Sequence, residues 1–390
     1  MIPYGRQDIS EEDIQAVVDV LRSDFLTQGP VVPAFEQAIA SFCGAKYAIA
    51  VGSATSALHL ACIALEVGPG DMVWTSPITF VASANCARYC GADVDFVDID
   101  PRTYNMSVDR LTEKLEAAER EGKLPKVVIP VHLAGQSCDM AAIHALSKKY
   151  GFRIIEDASH AIGGSYLGSP VGGCRYSDIT IFSFHPVKII TTGEGGMALT
   201  NDSTLAHTLA LYRSHGITRT PAEMTQPPDG SWFYQQLDLG FNYRMTELQA
   251  ALGLSQLKRL EPFVAKRHVI AKRYDELLAD LWVKTPWQSP DAHSAFHLYI
   301  VRLKLDEIRF TQRDLFDRMK SFGILVNLHY IPVYRHPYYA KMGFQRSAFP
   351  EAEAYYAEAM TLPIYPLLTE DQQREVVNCM TAPAGHQTLF

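Results

Sequence analysis

The sequence lacks any run of five or more basic residues and carries a small excess of acidic ones. Its 35 Lys and Arg residues face 43 Asp and Glu residues, which gives a formal net charge of −8 at pH 7. Proteins that bind nucleic acid present a positive surface to the phosphate backbone, so this balance argues against nucleic acid as a main partner. No helix-turn-helix segment or basic face suggests a DNA-binding regulator.

Long apolar runs are also missing. The longest apolar stretches fall well short of the roughly 18 residues that a membrane-spanning helix requires. Residues 1–10 carry polar and charged side chains where a secretory signal peptide would be apolar. We therefore expect a cytoplasmic protein with no membrane partner.

Cysteine is sparse, and its spacing does not suggest disulfide or metal-binding pairs. The seven cysteines are odd in number, are scattered along the chain and include no Cys-x-x-Cys pair. Cys86 and Cys90 are four apart and would share a helix face, but Ala87 and Tyr89 between them do not favour zinc. We expect reduced thiols in the core and no metal site.

What is present indicates an α/β fold. The 390 residues exceed the usual size of one domain, and 47% of them are hydrophobic, which is ample for a core. Short apolar segments alternate with helical patterns, and such alternation is typical of a parallel sheet covered on both faces. Two further strands at 179–184 and 196–200 are separated by about twelve residues without a helix pattern, which predicts an antiparallel neighbour. The other predicted strands are 47–51, 72–76, 94–97, 127–131 and 153–156.

A change of pattern marks a second unit. Residues 242–281 have the spacing of long helices and would bridge two domains. Beyond them the chain predicts a strand at 297–303, a helix at 311–322, a strand at 325–328 and a helix at 351–360. We therefore divide the chain into a large domain, residues 1–250, and a bridging helix with a smaller α+β domain, residues 251–390. The proline-rich stretch 218–231 is the best candidate for a mobile loop.

Small residues and hydroxyls follow the first strand of the sheet. Residues 52–56 read Gly-Ser-Ala-Thr-Ser at the start of a predicted helix, where free backbone N–H groups and the helix dipole favour a phosphate. The segment does not match the P-loop pattern, which disfavours a nucleoside triphosphatase. It also does not match the Gly-x-Gly-x-x-Gly fingerprint, which disfavours a nicotinamide-dependent enzyme. An ordinary capped helix explains this segment alone equally well.

An acid and an amine follow later strands. Asp157 ends a buried strand, where a helix cap or a structural ion pair would be the usual role for a single Asp. Lys188 lies between a buried strand and a glycine-rich turn, and its apolar neighbours predict a partly desolvated amine with a lowered pKa, suited to Schiff-base chemistry. A phosphate site, an aromatic ring at Phe80, the acid and the amine together match the requirements of pyridoxal phosphate.

The sequence resembles the sugar aminotransferases of the DegT/DnrJ/EryC1/StrS family, within the fold type I pyridoxal phosphate enzymes. The resemblance runs over nearly the whole chain and is strongest in residues 51–58, 76–83, 155–161, 182–188, 192–196 and 239–246. It implies a three-layer α/β/α large domain with a mostly parallel sheet, followed by a smaller C-terminal α+β domain.

The resemblance also implies roles for individual residues. Lys188 would form the Schiff base with the cofactor, Asp157 would pair with its ring nitrogen, Phe80 would stack on the ring and His160 would lie near the ring hydroxyl. Many relatives have Gln in place of His160, and Trp or Tyr in place of Phe80. The residues that would hold the phosphate are Ala54, Thr55, Ser183 and, from the second subunit of a homodimer, Asn242. The candidates for contact with the sugar or its diphosphate are Arg244, His215, His329 and Tyr330.

The implied reaction is a transamination. An amino group would pass from glutamate, which leaves as 2-oxoglutarate, through pyridoxamine phosphate to C4 of a UDP-linked 4-keto-6-deoxy-N-acetylhexosamine. Other nucleotide-sugar 3- or 4-aminotransferases stay open as alternatives. A dehydratase on the same fold carries His in place of the lysine, so Lys188 argues against that activity.

Overall fold

The computed structural model describes residues 1–381. Its α-helices are α1 (Glu11–Leu21), α2 (Val31–Cys43), α3 (Ala54–Ala64), α4 (Ala82–Tyr89), α5 (Val108–Glu121), α6 (Met140–Tyr150), α7 (Ser203–Arg213), α8 (Glu247–Leu257), α9 (Leu260–Leu278), α10 (Gln312–Ser321), α11 (Pro337–Ala340), α12 (Pro350–Glu358) and α13 (Glu370–Thr381). Its strands are β1 (Ile2–Pro3), β2 (Tyr47–Val51), β3 (Met72–Thr75), β4 (Asp93–Phe96), β5 (Val127–Ile129), β6 (Arg153–Asp157), β7 (Ser165–Tyr166), β8 (Ser169–Pro170), β9 (Ile179–Ser183), β10 (Gly196–Thr200), β11 (Ile217–Thr218), β12 (Gln235–Gln236), β13 (Val283–Lys284), β14 (Ala292–His293), β15 (Tyr299–Leu303), β16 (Ile324–Leu325) and β17 (Ala359–Leu362).

The central sheet has the order β2-β10-β9-β6-β5-β3-β4. Strands β4, β3, β5, β6 and β9 pair in parallel. β10 is antiparallel to both β9 and β2. The predicted α/β class and the antiparallel neighbour are therefore confirmed.

The sheet is buried on both faces, as the apolar strands predict. Along β3, Val73 packs in one core cluster with helices α3 and α4, while the next residue, Trp74, packs in another with α5 and α6. Successive side chains of a strand point to opposite faces, so each strand feeds both cores. Helices α2 and α8 cover the β2 end of the sheet.

Helix α9 connects the two parts of the chain physically. Its first half, with Phe263, packs in the core of the large sheet, and its second half, with Tyr274, packs in the core around β15. That second core also contains α10, α13 and the antiparallel sheet β13-β15-β17. The division at residue 250, which lies inside α8, stays a prediction.

Several predicted elements differ from the structure. The strand predicted at 325–328 is wrong beyond Leu325, because β16 pairs only with the short β1 and the chain then turns toward the cavity. The helix predicted at 351–360 ends at Glu358, because the next residues pair with β15. Helices α5, α7, α11 and α13 are not predicted; α5, for example, buries only Leu111, Leu115 and Ala118 behind a charged face.

Two findings bear on the class of protein. Among residues 1–381, no helix combines the length and the apolar composition that crossing a membrane requires. The cysteine thiols are free, and all are buried except that of Cys90, which is half-buried.

Candidate active site

A cavity of about 570 Å³ opens at the carboxyl ends of β6 and β9, next to the N-terminus of α3. Segment 327–330 closes it from the side of the C-terminal unit. Nine of the predicted site residues line this one cavity: Ala54, Thr55, Phe80, Asp157, His160, Ser183, Lys188, His329 and Tyr330. These residues converge because the carboxyl ends of parallel strands meet at the same edge of the sheet.

The N-terminus of α3 forms one wall. Ser53 is the N-cap, and its side chain accepts a hydrogen bond from the Ser56 N–H at 3.1 Å. The N–H groups of Ala54 and Thr55 precede the first residue that can find a carbonyl within the helix. They lie at the positive end of the dipole and line the cavity, so this wall suits an anion.

Gly196 lets the sheet approach this wall closely. Its register partners are Val51 on β2 and Ser183 on β9, so it lies between the strand that leads into α3 and the Ser183 side chain. A Cβ at position 196 would stand 2.4 Å from the Ala54 nitrogen, closer than real Cβ atoms come. Only glycine therefore fits beside the anion-binding wall.

Asp157 is the last residue of β6 and is held in place by hydrogen bonds. Its Oδ2 accepts from the Ser83 hydroxyl at 2.6 Å, and its Oδ1 accepts from the Ser159 N–H at 3.1 Å. The Ser83 hydroxyl is itself 2.9 Å from that of Thr79. Both oxygens of this carboxylate therefore accept hydrogen bonds, and the side chain is buried and faces the cavity.

Lys188 lies in the connection between β9 and β10. Its N–H donates to the His185 carbonyl at 2.9 Å, and Thr191 and Thr192 both bond the Phe184 carbonyl, which draws the loop into a compact turn. Burial lowers the pKa of Lys188 to about 8, although the Asp157 carboxylate opposes this by raising it. About a tenth of this amine is therefore unprotonated at pH 7, and about half of it at pH 8.

Three histidines around Lys188 stay neutral. Burial, with the charge of Lys188, lowers the pKa of His160 well below its ordinary value and that of His329 to about 3. Burial, with the charge of Lys188, does the same to His297, whose Nδ1 is buried without a hydrogen-bond partner within residues 1–381. The Lys188 amine thus shares the cavity with three uncharged imidazole rings, those of His160, His297 and His329.

The orientation of Asn327 assigns the His329 tautomer. The Asn327 Oδ1 accepts from the Leu328 N–H at 2.8 Å, so its amide nitrogen is the atom 3.3 Å from His329 Nε2. Because an amide nitrogen only donates, His329 Nε2 accepts and its Nδ1 donates to the Thr361 hydroxyl at 2.9 Å.

Phe80 and Tyr330 form an aromatic wall. Phe80 is 58% exposed, an unusual value for a phenylalanine, and its ring centroid lies 6.1 Å from that of Tyr330. An exposed aromatic face at the rim of a cavity suits stacking on a planar ring.

Three predicted residues do not line the cavity. His215 occupies a left-handed turn after α7, with φ of +65°, and its N–H donates to the Phe241 carbonyl. Asn242 forms a backbone bridge with Ser214, and Arg244 forms one with Val51 at the end of β2. None of these three residues lines the cavity of its own chain. For Asn242 this agrees with the expectation from the family resemblance that it serves the site of a second subunit.

Comparison with known proteins assigns the chain to a family. The model of the DegT/DnrJ/EryC1/StrS aminotransferase family matches residues 7–381. The chain belongs to this family. It is a pyridoxal phosphate-dependent sugar aminotransferase, as the resemblance in the sequence implied.

Individual relatives of the DegT/DnrJ/EryC1/StrS family cover the chain almost completely. The spore coat polysaccharide biosynthesis protein SpsC of Bacillus subtilis is 39% identical over 97% of this chain and 96% of its own. A UDP-4-amino-4,6-dideoxy-N-acetyl-beta-L-altrosamine transaminase of Campylobacter jejuni is 36% identical over 94% of this chain and 93% of its own. The solved structure of Helicobacter pylori PseC, an aminotransferase of pseudaminic acid biosynthesis, superposes with a TM-score of 0.87 at 30% identity, covering 97% of this chain and 98% of its own.

The cavity fits the family's cofactor. A Streptococcus pneumoniae protein described as a sugar aminotransferase, 30% identical to this chain, has been solved in PMP and PLP forms, with TM-scores of 0.87 and 0.86. Here the N-terminus of α3 at Ala54 and Thr55 faces the cavity and suits the phosphate, and the buried Asp157 carboxylate suits a protonated ring nitrogen. Lys188 would supply the amine that the aldehyde requires.

The residues that belong to the cavity or support it and that sequence reasoning did not assign to the site include Tyr4, Ser83, His297 and Asn327. Tyr4 reaches the cavity because β1 pairs with β16 and the Ile364 N–H donates to the Tyr4 carbonyl. Such long-range pairing has no signal in a single sequence. Ser83 lies in the stretch 76–83, one of the segments in which the family resemblance is strongest. Its position four residues after Thr79 could have indicated that the two hydroxyls lie close together.

Proposed function

We propose that this enzyme transfers an amino group from L-glutamate to C4 of a UDP-linked 4-keto-6-deoxy-N-acetylhexosamine, the transamination of pseudaminic acid biosynthesis. The observation that carries the aminotransferase chemistry is Lys188, with its lowered pKa, in one cavity with the Asp157 carboxylate. Support for the sugar comes from the Campylobacter jejuni and Helicobacter pylori relatives and from the likeness of residues 185–188, 212–217 and 326–333 to that enzyme type.

Lys188 would act twice. When bound, pyridoxal phosphate supplies an aldehyde for an amine and a ring that withdraws electrons. Nζ of Lys188 is neutral often enough near pH 8 to act as a nucleophile, and once released it would accept the α-proton of the amino donor as a general base. The neutral histidines do not compete with it for that proton.

The remaining cofactor contacts follow from the cavity. The N–H groups of Ala54 and Thr55 and the Ser183 hydroxyl would hold the phosphate, and Asp157 would keep the ring nitrogen protonated. Phe80 would cover one face of the ring, and His160 would lie near the ring hydroxyl. His329 and Tyr330 would contact the sugar nucleotide from the C-terminal side.

A homodimer with shared active sites would complete the site. Asn242 lies outside its own cavity, as a residue donated to a partner must, and Arg244 and His215 are its neighbours in the fold. The nearby apolar side chains of Leu239 and Trp232 are 77% and 74% exposed, which is costly unless a second copy covers them.

A second candidate is another nucleotide-sugar 3- or 4-aminotransferase of the family. The Bacillus subtilis relative named for spore coat polysaccharide biosynthesis is 39% identical, slightly more than the Campylobacter jejuni transaminase at 36%. A pyridoxamine phosphate-dependent dehydratase is disfavoured, because Lys188 occupies the position where such enzymes carry His.

Two measurements test the proposal. The absorption spectrum of the purified holoenzyme should change on addition of glutamate as amino groups are taken up, and the Lys188→Ala variant should show no such change. Product analysis with a panel of UDP-linked 4-keto and 3-keto sugars should then identify the 4-keto-6-deoxy-N-acetylhexosamine as the best acceptor. Amination of a 3-keto sugar alone would support the second candidate instead, and elimination without amination would contradict both.

A further inference from the structure

A chain of hydrogen bonds runs from the backbone through His160 to Tyr330. The Ala134 N–H donates to His160 Nδ1 at 3.3 Å, and His160 Nε2 lies 3.0 Å from the Tyr330 hydroxyl. A neutral imidazole carries one proton, and the nitrogen that accepts a hydrogen bond cannot hold it. The proton of His160 is therefore on Nε2, which donates to the Tyr330 oxygen.

This tautomer leaves the Tyr330 hydrogen free. His160 is the hydrogen-bond partner of the Tyr330 hydroxyl within residues 1–381, and it uses the oxygen as an acceptor. The hydroxyl lines the cavity. Burial, with the nearby Asp157 carboxylate, raises the pKa of Tyr330 above its ordinary value, so the phenol keeps its proton. A hydroxyl hydrogen without an acceptor in the protein can bond an oxygen atom that enters the cavity.

We propose that Tyr330 donates its hydroxyl hydrogen to an oxygen atom of the bound ligand, and that His160 is the positioning residue that orients this hydroxyl. The inference rests on the proposed function and deepens it, because it names the Tyr330 hydroxyl as the donor to the ligand. The ligand atom is an anionic or carbonyl oxygen. Both the ring hydroxyl of the cofactor and the keto group of the sugar offer such an oxygen.

The backbone that orients His160 is rigid. Ala134 has φ of +60°, a conformation that costs energy for a residue with a side chain. Next to it, a Cβ at Gly135 would lie 2.9 Å from the Phe296 nitrogen and 3.0 Å from the His160 carbonyl oxygen. The turn is held from outside, because the Asn105 side chain accepts from the Leu133 N–H and donates to the Gln136 carbonyl, both at 2.9 Å.

The His160 tautomer can be measured without any ligand. In a long-range ¹H–¹⁵N spectrum of the apoprotein, assigned with the His160→Gln variant, His160 should show a protonated Nε2 and an unprotonated Nδ1. Its shifts should stay constant from pH 8 to pH 6. A protonated Nδ1, or a His160 that titrates in this range, would overturn the proposal whatever the enzyme's substrate is.

Variants test the contact with the ligand. Tyr330→Phe should weaken binding of pyridoxal phosphate, binding of a UDP-linked 4-keto-6-deoxy-N-acetylhexosamine to the pyridoxal phosphate holoenzyme, or both, by about 10- to 100-fold. The ligand whose binding falls identifies the oxygen. His160→Leu should cause a similar loss, and His160→Gln should recover most of it, because the amide can accept from Ala134 and donate to Tyr330. Tyr356→Phe, on the outer face of α12, is the matched control.

The double variant distinguishes positioning from separate contacts. If His160 acts through Tyr330, Tyr330→Phe combined with His160→Leu should lose no more binding than either alone. Additive losses, or unchanged binding of both ligands in Tyr330→Phe, would refute the inference. A holoenzyme that aminates no sugar but shows the expected binding losses would instead refute only the proposed function.

Discussion

Burial of Lys188 outweighs the attraction of the Asp157 carboxylate, so the pKa of this lysine falls to about 8 although an acid faces it. The two residues end up in one cavity because they follow adjacent parallel strands, β6 and β9. Asp157 is the register partner of Ile181, and Ser183, two residues further, points to the same side of the sheet. The acid, the amine and the Ser183 hydroxyl therefore converge by strand geometry.

Replacement of Lys188 by Ala should abolish transamination. The substitution removes both the nucleophile and the proton carrier, so we expect a loss in kcat larger than about 10³-fold. The measurement is 2-oxoglutarate formation from glutamate, with Lys341→Ala on the surface as a control that keeps full activity. A loss of only tenfold would be too small for the assigned role.

Replacement of Lys188 by Met should stabilise the apoprotein. The native pKa of about 8 lies below the unfolded value near 10.5, so the buried ammonium costs stability at pH 7. Between these two values the unfolded chain binds more protons than the native one, and the wild type gains stability as the pH rises. We expect a gain in the free energy of unfolding of about 1–2 kcal/mol at pH 7. Denaturant titrations at pH 7 and pH 10 should show this advantage shrinking; an advantage that grows with pH would contradict the buried charge.

Asp157→Asn should reduce turnover while the fold stays intact. The amide keeps the size of the side chain, and it cannot hold a proton on a ring nitrogen as a carboxylate does. We expect a loss in kcat on the order of 10²-fold or more, with an unchanged circular dichroism spectrum. Asp19→Asn, on the exposed face of α1, is the matched control. Equal activity of the Asp157→Asn variant and wild type would remove Asp157 from the mechanism.

Gly196→Ala should weaken binding of pyridoxal phosphate. Its Cβ would press on the Ala54 nitrogen, and the N-terminus of α3 would have to shift. We expect the dissociation constant to rise by about tenfold or more, because 1.4 kcal/mol of lost binding free energy is already a factor of ten. Gly68→Ala is the control, since a Cβ there meets no atom within 4 Å. Equilibrium dialysis measures the affinity of both variants for pyridoxal phosphate. Equal affinities would show that the close approach of Gly196 to the Ala54 nitrogen does not contribute to cofactor binding.

Mixed subunits test the shared site. If Asn242 serves the partner's cavity, Asn242→Ala and Lys188→Ala proteins should each be inactive, and mixing them after dissociation should restore activity. One intact site forms in each hybrid dimer, and hybrids make up half of a random mixture, so about one quarter of full activity is expected. A mixture that stays inactive, although hybrids are detected by native mass spectrometry, would contradict the donated Asn242.

The local patterns that sequence reasoning predicted correctly share one physical basis. The strand before Asp157 and the hydroxyl-rich start of α3 are encoded by neighbours in the chain, through apolar runs and a capping serine. The helix ending at Glu358 and the strand ending at Leu325 were misplaced, because pairing with the distant β15 and β1 decides those boundaries.

By itself, the sequence determined the α/β class and the family, and it predicted the residues that would carry the cofactor chemistry, because each of these depends on short segments whose character is local. Only the tertiary structure decided that Tyr4 and His297 belong to the cavity, that Asn242, Arg244 and His215 lie outside it, and which ring nitrogen of His160 carries the proton. Those facts depend on contacts between separate segments, from Ser214 with Asn242 to Tyr4 with Ile364, and on the direction of single hydrogen bonds. Neither is written in the spacing of residues along one chain.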